Sequence, residues 1–121
     1  MLEREGFELM GAAFEVYNTL GSGFLEEVYQ QSLEIELARR RIPYTPQQEL
    51  KLHYKDNPLR KTYIADIVAL NQIIVELKAV SSLTRDHLAQ LLNYLKASRL
   101  SVGYLINFGH PKKLEWQRIV L

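Results

Sequence analysis

The chain has 121 residues, 47 % of them hydrophobic, and its 15 Lys and Arg against 14 Asp and Glu leave a net charge of +1. That size and apolar content suit one domain with a real core, and so balanced a charge supplies no global field, so a nucleic-acid partner would have to be held by local patches. With no cysteine, disulfides and thiolate metal sites are excluded, oxygen and imidazole remain as metal donors, and a reducing cytoplasm is the natural setting.

The opening Met-Leu-Glu-Arg-Glu-Gly lacks the apolar stretch of a signal peptide, and no run nears the ~18 apolar residues of a membrane span, so a soluble protein without a membrane partner is expected. Phe7, Met10, Phe14 and Tyr17 recur at helical spacing, which predicts an amphipathic helix over about 3–19 that packs by this stripe. Asn18 to Gly23 breaks it, being small, polar and glycine-containing. A second helix is expected from about Phe24, through Val28, Tyr29, Leu33 and Leu37, to the Arg39-Arg40-Arg41 cluster, where Pro43 prevents extension.

From Gln47 the period changes to two, with Leu50, Leu52 and Tyr54 alternating against Lys51, His53 and Lys55 in a half-buried strand. Asp56-Asn57-Pro58 reads as a turn. Tyr63–Leu70 and Ile73–Val80 are rich in β-branched residues and separated by a short polar break, so they predict a central hairpin. Thr84 to Ser98 returns to helical period, with Leu88, Leu91, Leu92 and Leu95 on one face and Thr84 as N-cap. Ser101–Asn107 is an apolar strand, Phe108-Gly-His-Pro111 a loop, and Leu114 to Val120 an alternating last strand. This order predicts an α/β or α+β domain, a mixed central sheet flanked by helices.

Three charges fall inside the hairpin where their neighbours predict burial: Asp66, Glu76 and Lys78. Glu76 and Lys78, two apart in one strand, leave the same face. A three-residue connection at Leu70-Asn71-Gln72 would pair Asp66 with Glu76 and set the carboxylates side by side, whereas a two-residue turn would pair Asp66 with Leu77 and part them unless a bulge intervened. Two adjacent carboxylates raise each other's pKa unless a cation lies between them, and a hard Mg²⁺ or Mn²⁺ ion suits such oxygen donors better than Lys78 does. Lys78 would then orient or deprotonate an attacking water, or stabilise charge developing on a phosphate. The competing reading is a buried ionic network that only holds strand register.

Asp66, nine residues, then Glu76-Leu77-Lys78 resembles the Asp…(Asp/Glu)-x-Lys core of the PD-(D/E)XK nuclease superfamily. Gly23-Phe-Leu-Glu26-Glu-Val-Tyr29 is similar to the GxxExxY motif of a small prokaryotic family assigned to it, and Ile74–Ala79, Gln90–Leu95 and Leu105–Gly109 also look like that family. The resemblance covers nearly the whole chain and implies a restriction-endonuclease-like core over 1–121. It further implies that Asp66 and Glu76 bind Mg²⁺ or Mn²⁺, that Lys78 is the catalytic lysine, and that Glu26 is a helix-borne acid beside the metal. Ala65 stands where the motif's name has proline, at a variable position whose side chain does no chemistry.

Glu26 has a structural alternative, capping a helix begun at Gly23, and Tyr29 at i+3 from it is as well explained by a buried, satisfied hydroxyl as by contact with substrate. His87, Gln90 and Tyr94 form a polar stripe at i, i+3 and i+7 that could line the site. The resemblance favours Gln90 there, while His87 near a helix start suits a surface role. Arg39–Arg41, Lys51 with Lys55, Arg60 with Lys61, and Lys112-Lys113 with Arg118 are basic patches able to neutralise phosphates without reading sequence.

The activity expected is metal-dependent phosphodiester hydrolysis, on DNA ahead of RNA. The rival is a non-cleaving nucleic-acid-binding or assembly module acting with a partner protein, and an enzyme on another phosphate compound would fit the same site. So small a domain grips little duplex, which makes a homodimer attractive, and the hairpin ends and last strand offer edges for pairing.

Overall fold

The structure, a computed structural model, describes all residues 1–121. Eight elements follow in the expected order: α1 (Glu3–Leu20), α2 (Glu26–Arg39), β1 (Tyr44–Tyr54), β2 (Asn57–Ala69), β3 (Ile73–Lys78), α3 (Arg85–Ser98), β4 (Val102–Asn107) and β5 (Glu115–Val120). The strands form one mixed sheet in the order β1-β2-β3-β4-β5. All neighbours are antiparallel except β3 and β4, which are parallel and need the crossover through α3.

Alternation along the strands divides the core between the two faces of the sheet. Ile73, Val75 and Leu77 of β3 meet α1 and α2 beside Leu9, Ala12, Ala13, Tyr29 and Leu33, while Ile74 meets Leu91, Tyr94 and Leu95 of α3. Thr84 caps α3 as predicted, its hydroxyl accepting from the His87 N–H at 3.4 Å.

The first helix does not pack by its aromatic stripe. Its buried face is Gly6, Leu9, Met10, Ala12, Ala13 and Val16, and Phe7 is 81 % and Phe14 40 % exposed. Small residues let the helix lie close on the sheet, and the Tyr104 hydroxyl occupies the space of a Gly6 side chain, where a Cβ would come within 1.7 Å of it. Close approach over many atoms outweighs two large side chains that would hold the layers apart.

The strands β1 and β2 are longer than their periodicity predicts, starting at Tyr44 and Asn57 instead of Gln47 and Tyr63. The predicted three-residue turn contracts to Lys55-Asp56, with Lys55 at φ 54° and Tyr54 paired to Asn57. Both strands accommodate a proline, Pro46 in the edge strand β1 and Pro58 in the part of β2 that pairs with β1 alone, so each lies where one side of the strand has no ladder to lose.

Candidate active site

The hairpin of β2 and β3 adopts the three-residue connection: Ala69 pairs with Ile73, Val68 with Ile74 and Ile67 with Val75, with Leu70 and Asn71 both at positive φ in the turn. One step further, the same register sets Asp66 opposite Glu76, and there the backbone ladder stops. Alternation also breaks at this point, because Ala65 and Val68, three apart, both contact the core beneath α3 while Ile67 contacts the other. Across the sheet, Gln47 of β1 has φ 49°. The strands part at Asp66, and side chains replace the missing ladder: the Asp66 N–H donates to a Glu76 carboxylate oxygen at 2.8 Å and the Leu77 N–H to an Asp66 carboxylate oxygen at 2.8 Å.

Both acids hold protons more tightly than ordinary carboxyls. Burial raises Asp66, opposed by the Leu77 N–H and the Lys78 charge. Glu76, only 5 % exposed, is pushed up to about 8 by burial first and the Asp66 charge second. Glu26, on the first turn of α2 at the rim of the site, is also raised, by partial desolvation and then by Asp66. Lys78 lowers all three. It makes no ion pair with any of them, the three ion pairs of the molecule lying elsewhere on its surface. Three carboxylates thus share the field of one lysine.

Two helix positions differ from expectation, and both bear on Glu26. The α2 helix starts at Glu26 with Leu25 in the cap position and no side-chain cap, so neither the Phe24 start nor capping from Gly23 is realised, and the Glu26 carboxylate is left for the cleft. Tyr29, expected to bind substrate, does not line the cleft. It is fully buried, its ring stacks on Phe108 at 4.8 Å, and its hydroxyl donates to the Gly21 carbonyl at 2.5 Å and accepts from the Phe24 N–H at 3.2 Å. It pins the turn in which Gly21 and Gly23 have positive φ, and so fixes where α2, with Glu26, begins.

Gln30 escaped the sequence reading. One turn beyond Glu26 and 8 % exposed, it donates from Nε2 to the Asp66 carbonyl at 2.9 Å and to Glu34 at 2.9 Å, fastening α2 to β2 at the acid itself. Its i+4 spacing from Glu26 was the available signal. Glu26, Glu27, Gln30, Gln31, Glu34, Pro46, Gln47 and Asp66 line an open cleft of about 650 Å³.

On the α3 side, Tyr94 is buried, packs on Tyr63 at 4.7 Å between ring centres, and has its pKa raised by burial and then by Glu76, with a smaller effect of Asp66. Gln90 is exposed and donates to the Tyr94 hydroxyl at 3.1 Å, with no hydrogen bond to the acids. His87 takes part in the helix cap, its Nδ1 accepting from the Thr84 N–H at 3.0 Å. Beneath Lys78, the Phe108 N–H donates to the Lys78 carbonyl at 2.8 Å, and Gly109 lies so close that a Cβ there would meet the Val80 backbone at 2.4 Å.

A hard divalent cation fits this donor set by its chemistry: the groups on hand are carboxylate oxygens, and burial first, with the Asp66 charge on Glu26 and Glu76, raises their pKa values. Asp66 and Glu76 each engage a backbone amide, and no three acidic or imidazole groups converge to chelate an ion jointly as they stand. Were such an ion bound, the acid pair would hold it, as suits Mg²⁺, which keeps several waters and uses one or two carboxylates.

No curated protein matches this sequence. Among solved structures, the crystal structure of SSO0001 is similar in fold, with a TM-score of 0.63 at 19 % identity over 98 % of this chain, which spans 60 % of the length of that one. No helix is long and apolar enough to cross a membrane. A family model described as the PD-(D/E)XK nuclease superfamily matches residues 3–119, and with the mixed sheet and the Asp66, Glu76 and Lys78 set it shows that the chain belongs to that superfamily.

Proposed function

We propose that this protein is a nuclease that hydrolyses phosphodiester bonds, of DNA ahead of RNA, with Mg²⁺ or Mn²⁺ held by Asp66 and Glu76 and flanked by Glu26. The observation that carries this reading is the acid pair at the parting of β2 and β3 with a single unpaired lysine in its field. A divalent cation bound there would lower the pKa of water and draw charge from a phosphate. The chain's own part is positional and electrostatic. Lys78 stabilises negative charge growing on the phosphate or orients the attacking water, and Gln90 with Tyr94 borders the site from α3. Lys51, Lys55, Arg60 and Lys61, gathered on the β1–β2 hairpin, neutralise backbone phosphates without reading bases.

Within the superfamily we assign the chain to the GxxExxY group, on Gly23, Glu26 and Tyr29, and the absence of cysteine suits a reducing cytoplasm. A second reading, a non-cleaving binding or assembly module with a partner protein, is favoured by one observation: the Asp66 and Glu76 carboxylates already serve backbone amides, as in a network that only holds register.

The test is cleavage of labelled single- and double-stranded DNA and RNA with Mg²⁺, Mn²⁺ or EDTA, comparing the wild type with Asp66→Ala and Lys78→Ala. Metal-dependent cutting lost in both variants is expected. No cutting, with no heat of Mn²⁺ binding, would leave the second reading.

A further inference from the structure

Away from the acid cleft, one surface is apolar without serving the core. Phe7, Met10, Gly11 and Phe14 of α1 face Tyr104, Trp116 and Arg118 across an open groove of about 420 Å³. Phe7, Phe14 and Trp116 are 81 %, 40 % and 40 % exposed, so large aromatic surface is left in water where small residues already pack the helix. The groove runs beside β5, which pairs only with β4 and leaves its outer backbone groups without a strand. An open edge next to an apolar helix face is a place where proteins add a strand.

We propose that a second copy of this chain occupies this surface, the two β5 strands pairing antiparallel about a two-fold axis through Gln117. The occupant follows from the self-complementarity of the edge. A two-fold perpendicular to the sheet keeps each face on its own side, so residues opposite one another must share a face. Centred on Gln117, the pairing sets Gln117 against itself and Trp116 of one copy against Arg118 of the other, both on the groove side. An indole beside a guanidinium is a favourable cross-strand pair, and Arg118 is already held in place by the Tyr104 hydroxyl at 3.0 Å. The two α1 helices then flank the seam and bury Phe7 and Phe14. The sheet becomes ten-stranded, and both acid clefts, on β2 and α2, stay open away from the seam.

The native chain has no cysteine, so one introduced thiol reports the register without competition. Opposed antiparallel residues lie ~4.5–5.5 Å apart at Cα, inside the range a disulfide spans. Under mild oxidation Gln117→Cys is expected to cross-link most of the protein into dimers and Glu115→Cys, opposite Ile119, little of it. Light scattering across a concentration series is expected to give a dimer for the wild type and, for Phe7→Glu with Trp116→Lys, a dissociation constant raised about a hundredfold. The melting temperature of that variant at concentrations where both are monomers checks its fold. A wild type that stays monomeric throughout overturns the proposal, as does a dimer that cross-links no better at 117 than at 115. Neither outcome depends on whether the protein cleaves nucleic acid.

Discussion

Asp66 and Glu76 stand opposite each other and are joined through the backbone: the Asp66 amide is held by the Glu76 carboxylate at 2.8 Å, and the Asp66 carboxylate holds the amide of Leu77 at 2.8 Å. Each acid thus does for its neighbouring strand what a ladder carbonyl would have done, and the strands can part without leaving amides unsatisfied.

Stability should depend on pH through Glu76. Its carboxyl, at about 8 against an ordinary 4.5, binds its proton more tightly when folded, so it favours folding fully below the ordinary value and loses that contribution as pH rises through the folded one. Melting temperatures without divalent cation should therefore fall between about pH 5 and pH 9, and Glu76→Gln should flatten the fall. An unchanged slope in that variant would place the titration elsewhere.

Lys78 and Asp66 should separate catalysis from binding. Lys78→Ala is expected to cut the cleavage rate by about 10²–10³ while Mn²⁺ still binds, because it removes a transition-state charge and no metal donor. Asp66→Asn is expected to lose both. Calorimetric titration with Mn²⁺ beside single-turnover cleavage distinguishes them, and equal loss of binding in both variants would count against these roles.

Gln30→Leu should leave the Asp66 carbonyl without its donor and loosen α2 from β2, lowering turnover by roughly ten- to a hundredfold through misplacement of Glu26 and Asp66. Gln30→Glu, which keeps the size but presents a carboxylate to a carbonyl, should do no better. Full activity in either variant would reduce Gln30 to packing.

Tyr29→Phe keeps the stack on Phe108 but removes the hydroxyl that serves Gly21 and Phe24, so a loss of about 1–3 kcal/mol is expected in denaturant unfolding. Substrate affinity should change little. A large rise in KM at unchanged stability would return Tyr29 to the substrate.

The order of elements was legible because it rests on local pattern, and three charges among β-branched residues marked the acids, but the turn length that sets Asp66 against Glu76 was left open between two registers and was settled by the pairing of Ala69 with Ile73. Superfamily membership followed from the same residues, and the family match over 3–119 bears it out. What escaped depended on partners distant in sequence. The face of α1 was decided by how closely Gly6, Ala12 and Ala13 approach the sheet, which hydrophobicity alone does not rank against Phe7 and Phe14. Gln30 gains its meaning from a carbonyl 36 residues away. The start of β2 was hidden by Pro58, read as part of a turn, whose effect depends on whether the strand has a partner on both sides.

The unequal lengths of the strands have a mechanical meaning. Only Ile67, Val68 and Ala69 of β2 pair with β3, so Asn57 to Asp66 run on with β1 as a two-stranded beam, about 33 Å long at ~3.3 Å per residue. The Arg99 guanidinium braces its tip, donating to the Lys55 carbonyl at 2.8 Å. In the proposed nuclease this braced beam, which carries Lys51, Lys55, Arg60 and Lys61, would run alongside roughly ten nucleotides at ~3.4 Å each, and so would measure out a length of strand from the acids. Shortening the beam by paired residues would then move where the substrate must extend in order to be held.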